Sequence, residues 1–385
     1  MLWRGSKFRT PSADDIEEDS LGVGGLSQAF SDHMSDADQK IGVLLCNIGT
    51  PQGTGYFSIR RYLSEFLSDS RVIEPPPPRW LWFLLLNGVI LAKRPFSSGK
   101  EYRKIWDTMH DESPLVTVTR SQVLKISQYL QTFYRGRVIA DFCMRYGQPS
   151  VEKVTESLVA RGCDRILFFP LYPQYSSPTT ATACDALFRC LMRLRNQPAI
   201  RIVPPYYDHT IYIEALVQSI ETHISKFSSP PEAIVVSYHG LPKRYITAGD
   251  LYYRQCTKTT ELLVERLRLK KTQILMAFQS RFGKEEWLQP YTCDVVRELA
   301  SGGVSNISVI APGFATDCVE TLGEIYGEIQ EAYLDAGGKA FSYILCLNDH
   351  ERHITLLINI IEDELSGWAK DAEPTVRICQ NKKDK

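Results

Sequence analysis

The sequence predicts an α/β protein built from two similar Rossmann-like halves, each a doubly wound parallel sheet, that face a central cleft. Short apolar runs alternate with stretches of helical spacing along residues 41–368, which is typical of parallel sheets covered by helices on both faces. The residue strings at the ends of these runs also recur once, in the same order. A chain of 385 residues is long enough for two such units.

The composition argues against several functions. A formal net charge of -1 gives no basic footprint for nucleic acid, so no nucleic-acid partner is expected. The ten cysteines include no CxxC pair, so their spacing does not support a zinc or iron–sulfur site. No stretch reaches the roughly 18 apolar residues that a transmembrane helix needs.

Both ends of the chain are predicted to lie outside the folded halves. Residues 1–40 are predicted to form a disordered arm because they combine an acidic run (14–20) with polar and glycine-rich segments. The basic start lacks an apolar core long enough for a secretory signal. An organellar transit peptide stays open, although the acidic run argues against it. Residues 371–385 form a polar tail.

The first half is assigned to residues 41–205. It begins with the strand-like run Ile41–Thr50, which ends in a Gly-Thr-Pro turn. Three further apolar runs follow: Val138–Met144, Arg165–Pro170 and Ile200–Pro204. Helical spacing between them predicts helices at 150–161 and 185–194.

The second half, residues 206–370, repeats the strand-end strings of the first. In chain order the matching pairs are LCNIG and VSYHG, CMRYG and FQSRFG, FPLYPQY and APGFATD, and PYYDH and CLNDH. Ile48 to Arg145 spans 97 positions, whereas His239 to Arg281 spans 42, so the first half carries 55 extra residues there. An amphipathic helix is predicted at 354–368, and whether it packs on this chain or on a partner stays open.

The extra residues contain an apolar lip near 74–95. Four prolines precede the run Trp80–Leu91, and Lys93 and Arg94 follow it. Twelve residues are too few to span a bilayer, which needs about 20. Tryptophan at one end and basic residues at the other are typical of an element that lies in a membrane surface. The alternative is a buried core helix, weakened because the run is apolar nearly all round.

A histidine and a row of carboxylates are the candidate chemical groups. His239 follows a buried strand at Ile234–Val236, at the edge where open α/β sheets place ligands. Proline and glycine after it predict a structured loop. Carboxylates three, four and four positions apart are predicted to share one face of a helix that begins near Thr316: Asp317, Glu320, Glu324 and Glu328.

The carboxylate row also has two explanations that involve no function, namely a solvated helix face or capping of the helix N-terminus. Topology favours a functional one, since the histidine and the helix both follow strands whose ends point into the same cleft. A neutral imidazole that faces carboxylates indicates divalent-metal handling or proton abstraction. So few ligands make a labile site and not a permanent structural one.

Five long segments resemble the signature segments of the ferrochelatase family. They are GVLLCNIGTP, PLYPQYSSPTTAT, SYHGLPKRYITAGDLYYRQC, FQSRFGKEEWLQPYT and PGFATDCVETLGEI. The resemblance covers residues 41–368, about 85% of the chain. It implies an enzyme, a lyase that inserts Fe²⁺ into protoporphyrin IX as the terminal step of haem biosynthesis, with two Rossmann-like halves around a porphyrin cleft.

The resemblance also implies roles for individual residues. His239 and Glu320 would be the catalytic pair on opposite sides of the macrocycle; which one accepts protons and which one binds iron stays open. Asp317 and Glu324 would extend a carboxylate track and complete the metal site with that pair, because hard oxygen ligands suit a dication.

Porphyrin contacts are implied at further positions. Ile48 is aliphatic, as in members that use protoporphyrin. The implied propionate contacts are Lys93, Arg94, Tyr102 and Ser113, although Pro95 stands where some members have a second arginine. Contacts in the pocket are implied for Arg145, Tyr146 and Trp287. A salt bridge at the strand end is the alternative for Arg145, and core packing is the alternative for Trp287.

Partners and location follow from the same resemblance. Fe²⁺ and protoporphyrin IX are the expected substrates, and no cofactor is expected to be required. Some members hold a [2Fe–2S] cluster through several C-terminal cysteines; the last seventeen residues here contain only Cys379, so no cluster of that type is expected. The protein is predicted to be cytoplasmic and peripherally bound to a membrane through the lip, an organellar membrane in a eukaryote. The alternatives are a chelatase for another metal or tetrapyrrole and a non-catalytic membrane-surface porphyrin or haem carrier.

Overall fold

The computed structural model describes residues 40–74, 78–269 and 271–369. The predicted disordered arm, apart from Lys40, and the predicted tail 371–385 lie outside the described residues. Lys40 itself is the first residue of a strand.

The described residues form two four-stranded parallel sheets. The strands are β1 Lys40–Thr50, β2 Val138–Gly147, β3 Cys163–Pro170, β4 Ala199–Ile202, β5 Ala233–His239, β6 Gln273–Gln279, β7 Asn306–Ile310 and β8 Ala340–Ile344. The first sheet has the order β2-β1-β3-β4 and the second β6-β5-β7-β8. The two orders are the same, which confirms the predicted duplication and the doubly wound α/β class.

Helices connect the strands and cover the sheets. The α-helices are α1 Tyr56–Leu67, α2 Arg79–Leu85, α3 Leu91–Ile105, α4 Pro114–Tyr134, α5 Val151–Ala160, α6 Thr182–Leu191, α7 Thr210–Ile224, α8 Lys243–Thr247, α9 Tyr252–Leu267, α10 Thr292–Ser301, α11 Gln330–Asp335 and α12 Glu351–Leu365. Short π-helical segments lie at Leu86–Ile90, Ser177–Ala181, Val319–Gly323 and Ile325–Ile329. The stretch after Gly240, predicted to be a loop, contains α8 and leads into α9.

The central strands of both sheets are buried, as expected for parallel strands with helices on both faces. Val43 to Leu45 of β1 and Ile234 to Val236 of β5 are essentially inaccessible to solvent. One hydrophobic cluster contains Leu45 of the first sheet, Val236 of the second and Leu357 of α12. The two halves therefore share a core.

The extra residues of the first half are helical. The β1–β2 connection contains α1 to α4, whereas the β5–β6 connection contains only α8 and α9. Residues 79–105 form a nearly continuous helical segment interrupted by the π-turn at Leu86–Ile90. Pro95 has no N–H for the carbonyl of Leu91, and the Tyr56 hydroxyl donates to that oxygen at 3.2 Å instead.

The lip lies on the surface. Trp80 is 62% exposed and Phe83 is 63% exposed, and several neighbours are also exposed, namely Leu81, Leu84, Leu85 and Val89. The alternative of a buried core helix is therefore wrong for most of the run, although Leu86 and Leu91 do pack inward. Within the described residues, no helix has the length and apolar character needed to cross a membrane.

Candidate active site

A cleft of about 1000 Å³ lies where strand ends of the two sheets converge. The first half contributes Ile48 at the end of β1 and residues that follow β3. The second half contributes His239, the segment after β6, and Glu320 with Glu324 after β7. The structure thus brings the predicted histidine and three carboxylates of the predicted row, Glu320, Glu324 and Glu328, to one cavity.

His239 is the last residue of β5, and its ring has a defined hydrogen bond. Nδ1 lies 2.6 Å from the carbonyl oxygen of Gly240, so Nδ1 carries the proton and donates it. In the neutral imidazole, Nε2 then keeps a free lone pair. This arrangement makes Nε2 a proton acceptor or metal ligand.

Gly240 lets the histidine segment approach its neighbours closely. Its N–H donates to the carbonyl of Gln279 at 2.8 Å. A Cβ at this position would lie 2.8 Å from that oxygen and 3.1 Å from Trp287 Cε3. Any side chain larger than hydrogen would therefore push β5 away from the end of β6.

Glu320 lies in the π-helical segment Val319–Gly323, and Glu324 joins that segment to the next one, Ile325–Ile329; neither lies in a regular helix. The helical segment begins at Val319, three residues later than predicted, and the Thr321 hydroxyl accepts from the Cys318 N–H at 2.9 Å. π-Turns of this kind are frequent at functional sites. Glu320, Glu324 and Glu328 all line the cleft.

The last residue of β6 and the residue after it donate hydrogen bonds to the Glu324 carboxylate. One carboxylate oxygen accepts from the Ser280 N–H at 2.7 Å, and the other accepts from the Ser280 hydroxyl and, at 3.2 Å, from Gln279 Nε2. Ser280 has φ of 64°, the left-handed region, which turns its N–H toward the carboxylate. Burial raises the pKa of Glu324, and the Ser280 hydrogen bonds and the nearby His239 oppose that rise.

Gln279 connects the histidine strand to the carboxylate segment. Its Nε2 donates to the Glu320 carbonyl at 2.7 Å, and its Oε1 accepts from the Ser237 hydroxyl at 2.8 Å. Ser237 stands two residues before His239 and also hydrogen-bonds Thr292 at 2.8 Å. Sequence reasoning did not assign Gln279 or Ser280 a role, although both lie in the string FQSRFG that marked the repeat.

Asp317 is placed differently from the other carboxylates. It precedes the helical segment and is buried, and it does not line the cleft. Its Oδ1 accepts from Thr321 at 2.8 Å and from the Tyr343 hydroxyl at 2.7 Å, and its Oδ2 accepts from Asn348 at 2.6 Å. The expected face of four carboxylates is therefore wrong at this position, because the helix starts after Asp317. Its role as a metal ligand stays a prediction.

Three of the predicted porphyrin contacts line the cleft: Ile48, Arg94 and Trp287. The Arg94 guanidinium lies 4.6 Å from the ring centroid of Phe282, which brings the lip segment against the second half. The indole Nε1 of Trp287 is buried, and no hydrogen-bond partner for it is found among the described residues.

Other predicted contacts lie behind the cleft surface. Tyr102 is buried against Tyr62, with ring centroids 6.3 Å apart, and burial together with Tyr62 and Glu320 raises its pKa. Ser113 is buried at the N-terminus of α4, whereas Lys93 is exposed. Their contact with a porphyrin stays a prediction.

Arg145 and Tyr146 both interact with other residues of this chain. Arg145 forms an ion pair with Asp69 and donates to the Thr182 carbonyl at 3.0 Å. The hydroxyl of Tyr146, which is fully buried, donates to Asp69 at 2.9 Å. The salt bridge that the sequence left as an alternative for Arg145 is therefore present, and neither residue lines the cleft.

The cleft contains an imidazole and carboxylates, groups that can accept protons or bind a cation. Within the described part of the chain, no three His, Cys, Asp or Glu side chains are arranged to hold a metal ion. Cys318 is buried next to Glu320, and burial raises the pKa of its thiol. Two facing α/β halves around an open cleft that contains an imidazole and carboxylates define a class of protein that transfers a metal ion or protons to a large ligand.

Sequence relatives identify the family within that class. A family model described as Ferrochelatase matches residues 40–365. The chain is 52% identical to "Ferrochelatase" of Rhodobacter capsulatus over 89% of this chain and 97% of that one. It is also 52% identical to "Ferrochelatase" of Chelativorans sp. (strain BNC1), over 89% and 96% of the two chains. This chain belongs to the ferrochelatase family.

A solved structure to which this chain is similar is "SirB from Bacillus subtilis with Fe3+". It is 12% identical, with a TM-score of 0.48 over 87% of this chain and 99% of that one. The family assignment depends on the sequence relatives and not on this likeness.

Proposed function

We propose that this protein inserts ferrous iron into protoporphyrin IX to form protohaem, the terminal step of haem biosynthesis. The observation that carries the proposal is the placement of His239, Glu320 and Glu324 around one cleft in a chain of the ferrochelatase family. Fe²⁺ replaces two pyrrole N–H protons, so the site must accept two protons and present iron to four nitrogens.

His239 and the carboxylates divide these tasks in the proposal. Nε2 of His239 has a free lone pair because Nδ1 donates to Gly240, so it accepts a pyrrole proton. Glu320 and Glu324 supply hard oxygen atoms for the incoming dication. The raised pKa of Glu324 also brings its titration nearer to neutral pH, where a carboxylate can take up and release a proton.

The test is anaerobic incubation with Fe²⁺ and protoporphyrin IX, followed by loss of porphyrin fluorescence. We expect turnover above the uncatalysed rate, and we expect H239A and E320A to reduce it by about 100-fold or more while porphyrin binding is kept. Glu331→Ala is the matched control and should keep the turnover, since this carboxylate is exposed and does not line the cleft. Turnover with cobalt or nickel but not iron, or porphyrin binding without turnover, would refute the proposal.

We further propose that the protein is cytoplasmic and binds a membrane surface peripherally through the lip Trp80–Leu91. The exposed apolar side chains of this run support the proposal, because an apolar patch of that kind on a protein surface marks an interaction site. Replacing Trp80, Leu84 and Leu85 with serine should weaken liposome co-sedimentation. A control variant has the same change at three exposed apolar residues elsewhere: Leu124, Phe227 and Leu334. Equal binding by both variants would contradict the proposal.

No resident cofactor is required in this proposal, and no [2Fe–2S] cluster of the C-terminal cysteine type is held. Cys379 lies outside the described residues, so sequence alone supports this point. Iron and acid-labile sulfide should both be absent from the purified protein. Stoichiometric sulfide with a visible absorption spectrum of a cluster would overturn it.

A further inference from the structure

A second cavity, of about 750 Å³, lies outside the cleft. It forms a groove bounded by α1, residues 68–70, the end of β2 and α6. The residues of α1 that line it recur every three or four positions and so share one helix face: Phe57, Arg60, Arg61, Ser64 and Glu65.

The groove has a surplus of positive charge. Four arginines and two carboxylates line it, and Arg145 is already paired with Asp69. Glu65 lies 4.0 Å from Arg145 and also accepts from the Gly147 N–H at 3.0 Å. Among the described residues, none forms an ion pair or hydrogen bond with the guanidinium groups of Arg60, Arg61 and Arg189.

An anion of phosphate type complements this arrangement. Like charges clustered without a counter-ion repel one another, and a bound anion offsets that repulsion. The planar guanidinium also matches the oxygens of a phosphate group in a bidentate manner. A metal cation is not a candidate, because the surplus charge has the same sign.

The rim of the groove is apolar on the side of the lip. Phe57 is 82% exposed and follows Tyr56, whose ring lies 4.8 Å from that of Phe96 in α3, the helix that begins at Leu91, the last residue of the apolar run of the lip. The hydrogen bond from Tyr56 to Leu91 ties α1 to the same segment. A ligand that fills the groove therefore needs an anionic group next to an apolar one.

We propose that this groove binds the phosphate headgroup of an anionic phospholipid and gives the membrane contact of the lip a preference for negatively charged surfaces. The charge of Arg60, Arg61 and Arg189 and the continuity of Phe57 with the lip carry the proposal. It rests on the proposed membrane contact but concerns different residues, so the two can be tested separately.

The experiment measures co-sedimentation of the full chain with vesicles of phosphatidylcholine alone and with added phosphatidylglycerol. Each arginine near an anionic surface favours binding about fivefold, so the triple variant R60Q/R61Q/R189Q should bind the anionic vesicles about 100-fold more weakly. Its binding to neutral vesicles should stay as in the unmodified protein. The control variant removes the same charge at exposed arginines elsewhere: Arg195, Arg254 and Arg352.

Equal weakening in the two triple variants would overturn the proposal, since it would show a general charge effect. Equal binding of the unmodified protein to both kinds of vesicle would overturn it as well. Displacement by free inorganic phosphate at matched ionic strength would assign the groove to a soluble phosphate and not to a lipid. Loss of binding to neutral vesicles in the lip variant, with the anionic preference kept, separates the lip from the groove.

Discussion

Replacing Gln279 with leucine keeps the side-chain volume but removes the amide that joins the histidine strand to the carboxylate segment. The lost contacts are the donors to the Glu320 carbonyl at 2.7 Å and to Glu324 at 3.2 Å, and the acceptor for Ser237 at 2.8 Å. A buried hydrogen bond removed from one side costs about 1–3 kcal/mol. We expect a loss of stability of about 2 kcal/mol or more, which lowers Tm by about 4 °C.

The same change has a second, chemical consequence that a purely structural residue would not cause. Gln279 is one of the donors that oppose the burial of Glu324, so its loss raises the pKa of Glu324 further. If ionised Glu324 receives iron, activity is lost as pH falls through that pKa. The acidic limb of kcat/KM should therefore move to higher pH, by up to about one unit, because one unit corresponds to 1.36 kcal/mol.

Steady-state iron insertion measured across pH tests this reasoning. Ser237→Ala is the control, because it removes the donor to Gln279 Oε1 but leaves the Gln279 donors to Glu320 and Glu324 in place. It should lower the free energy of unfolding by about 1 kcal/mol without moving the acidic limb. An acidic limb that stays in place in Q279L while Tm falls would refute the link between Gln279 and Glu324.

Two further predictions concern the carboxylates. The folded state raises the pKa of Glu324, so protonation of this carboxyl favours folding, and that stability is lost as pH rises through the raised pKa. The variant E324Q should therefore have a higher Tm than the unmodified protein at pH 8 and a similar Tm in acid. Scanning fluorimetry at the two pH values measures both. Asp317→Ala removes the buried carboxylate that accepts from Thr321, Tyr343 and Asn348, so it should cost about 3 kcal/mol or more in urea unfolding, whereas E328A should stay within about 0.5 kcal/mol. Equal stabilities of D317A and E328A would show that the buried network around Asp317 contributes little.

The repeat and the strand ends could be predicted from the sequence because both are visible as patterns within short segments of the chain. Apolar runs mark buried parallel strands, and the matching strings fixed which strands correspond. The identical sheet orders confirm that interpretation. The exposure of the lip could also be predicted, since its apolar residues cover all sides of the helix and cannot all be buried.

The partners of several candidate residues could not be predicted, because they come from distant parts of the chain. Arg145 pairs with Asp69, 76 positions away, and no pattern in either segment indicates the pairing. The buried hydrogen bonds of Asp317 were missed for a different reason. The three-and-four spacing assumed a regular helix from Thr316, whereas the segment begins at Val319 with π-turns that the spacing rule does not describe.

The two halves have the same sheet order but contribute different chemical groups to the cleft. Ile48 lies near the end of β1 and His239 ends the equivalent strand β5, so one half presents an aliphatic side chain where the other presents an imidazole. The predicted catalytic pair, His239 and Glu320, comes entirely from the second half, while the lip comes from the first. The position of one relative to the other therefore depends on contacts between the halves.

Those contacts lead directly to the carboxylate segment. In α4, Gln122 donates to the Asn348 carbonyl at 2.8 Å, and Ser121 donates to Asp349 at 2.6 Å. Asn348 in turn donates to Asp317, which precedes Glu320 by three residues. The long helix of the first half is thus connected through a buried carboxylate to the segment that carries Glu320, which lines the same cleft as His239. A shift of α4 away from the second half would have to break these hydrogen bonds, so the geometry of the predicted site depends on how the two halves pack.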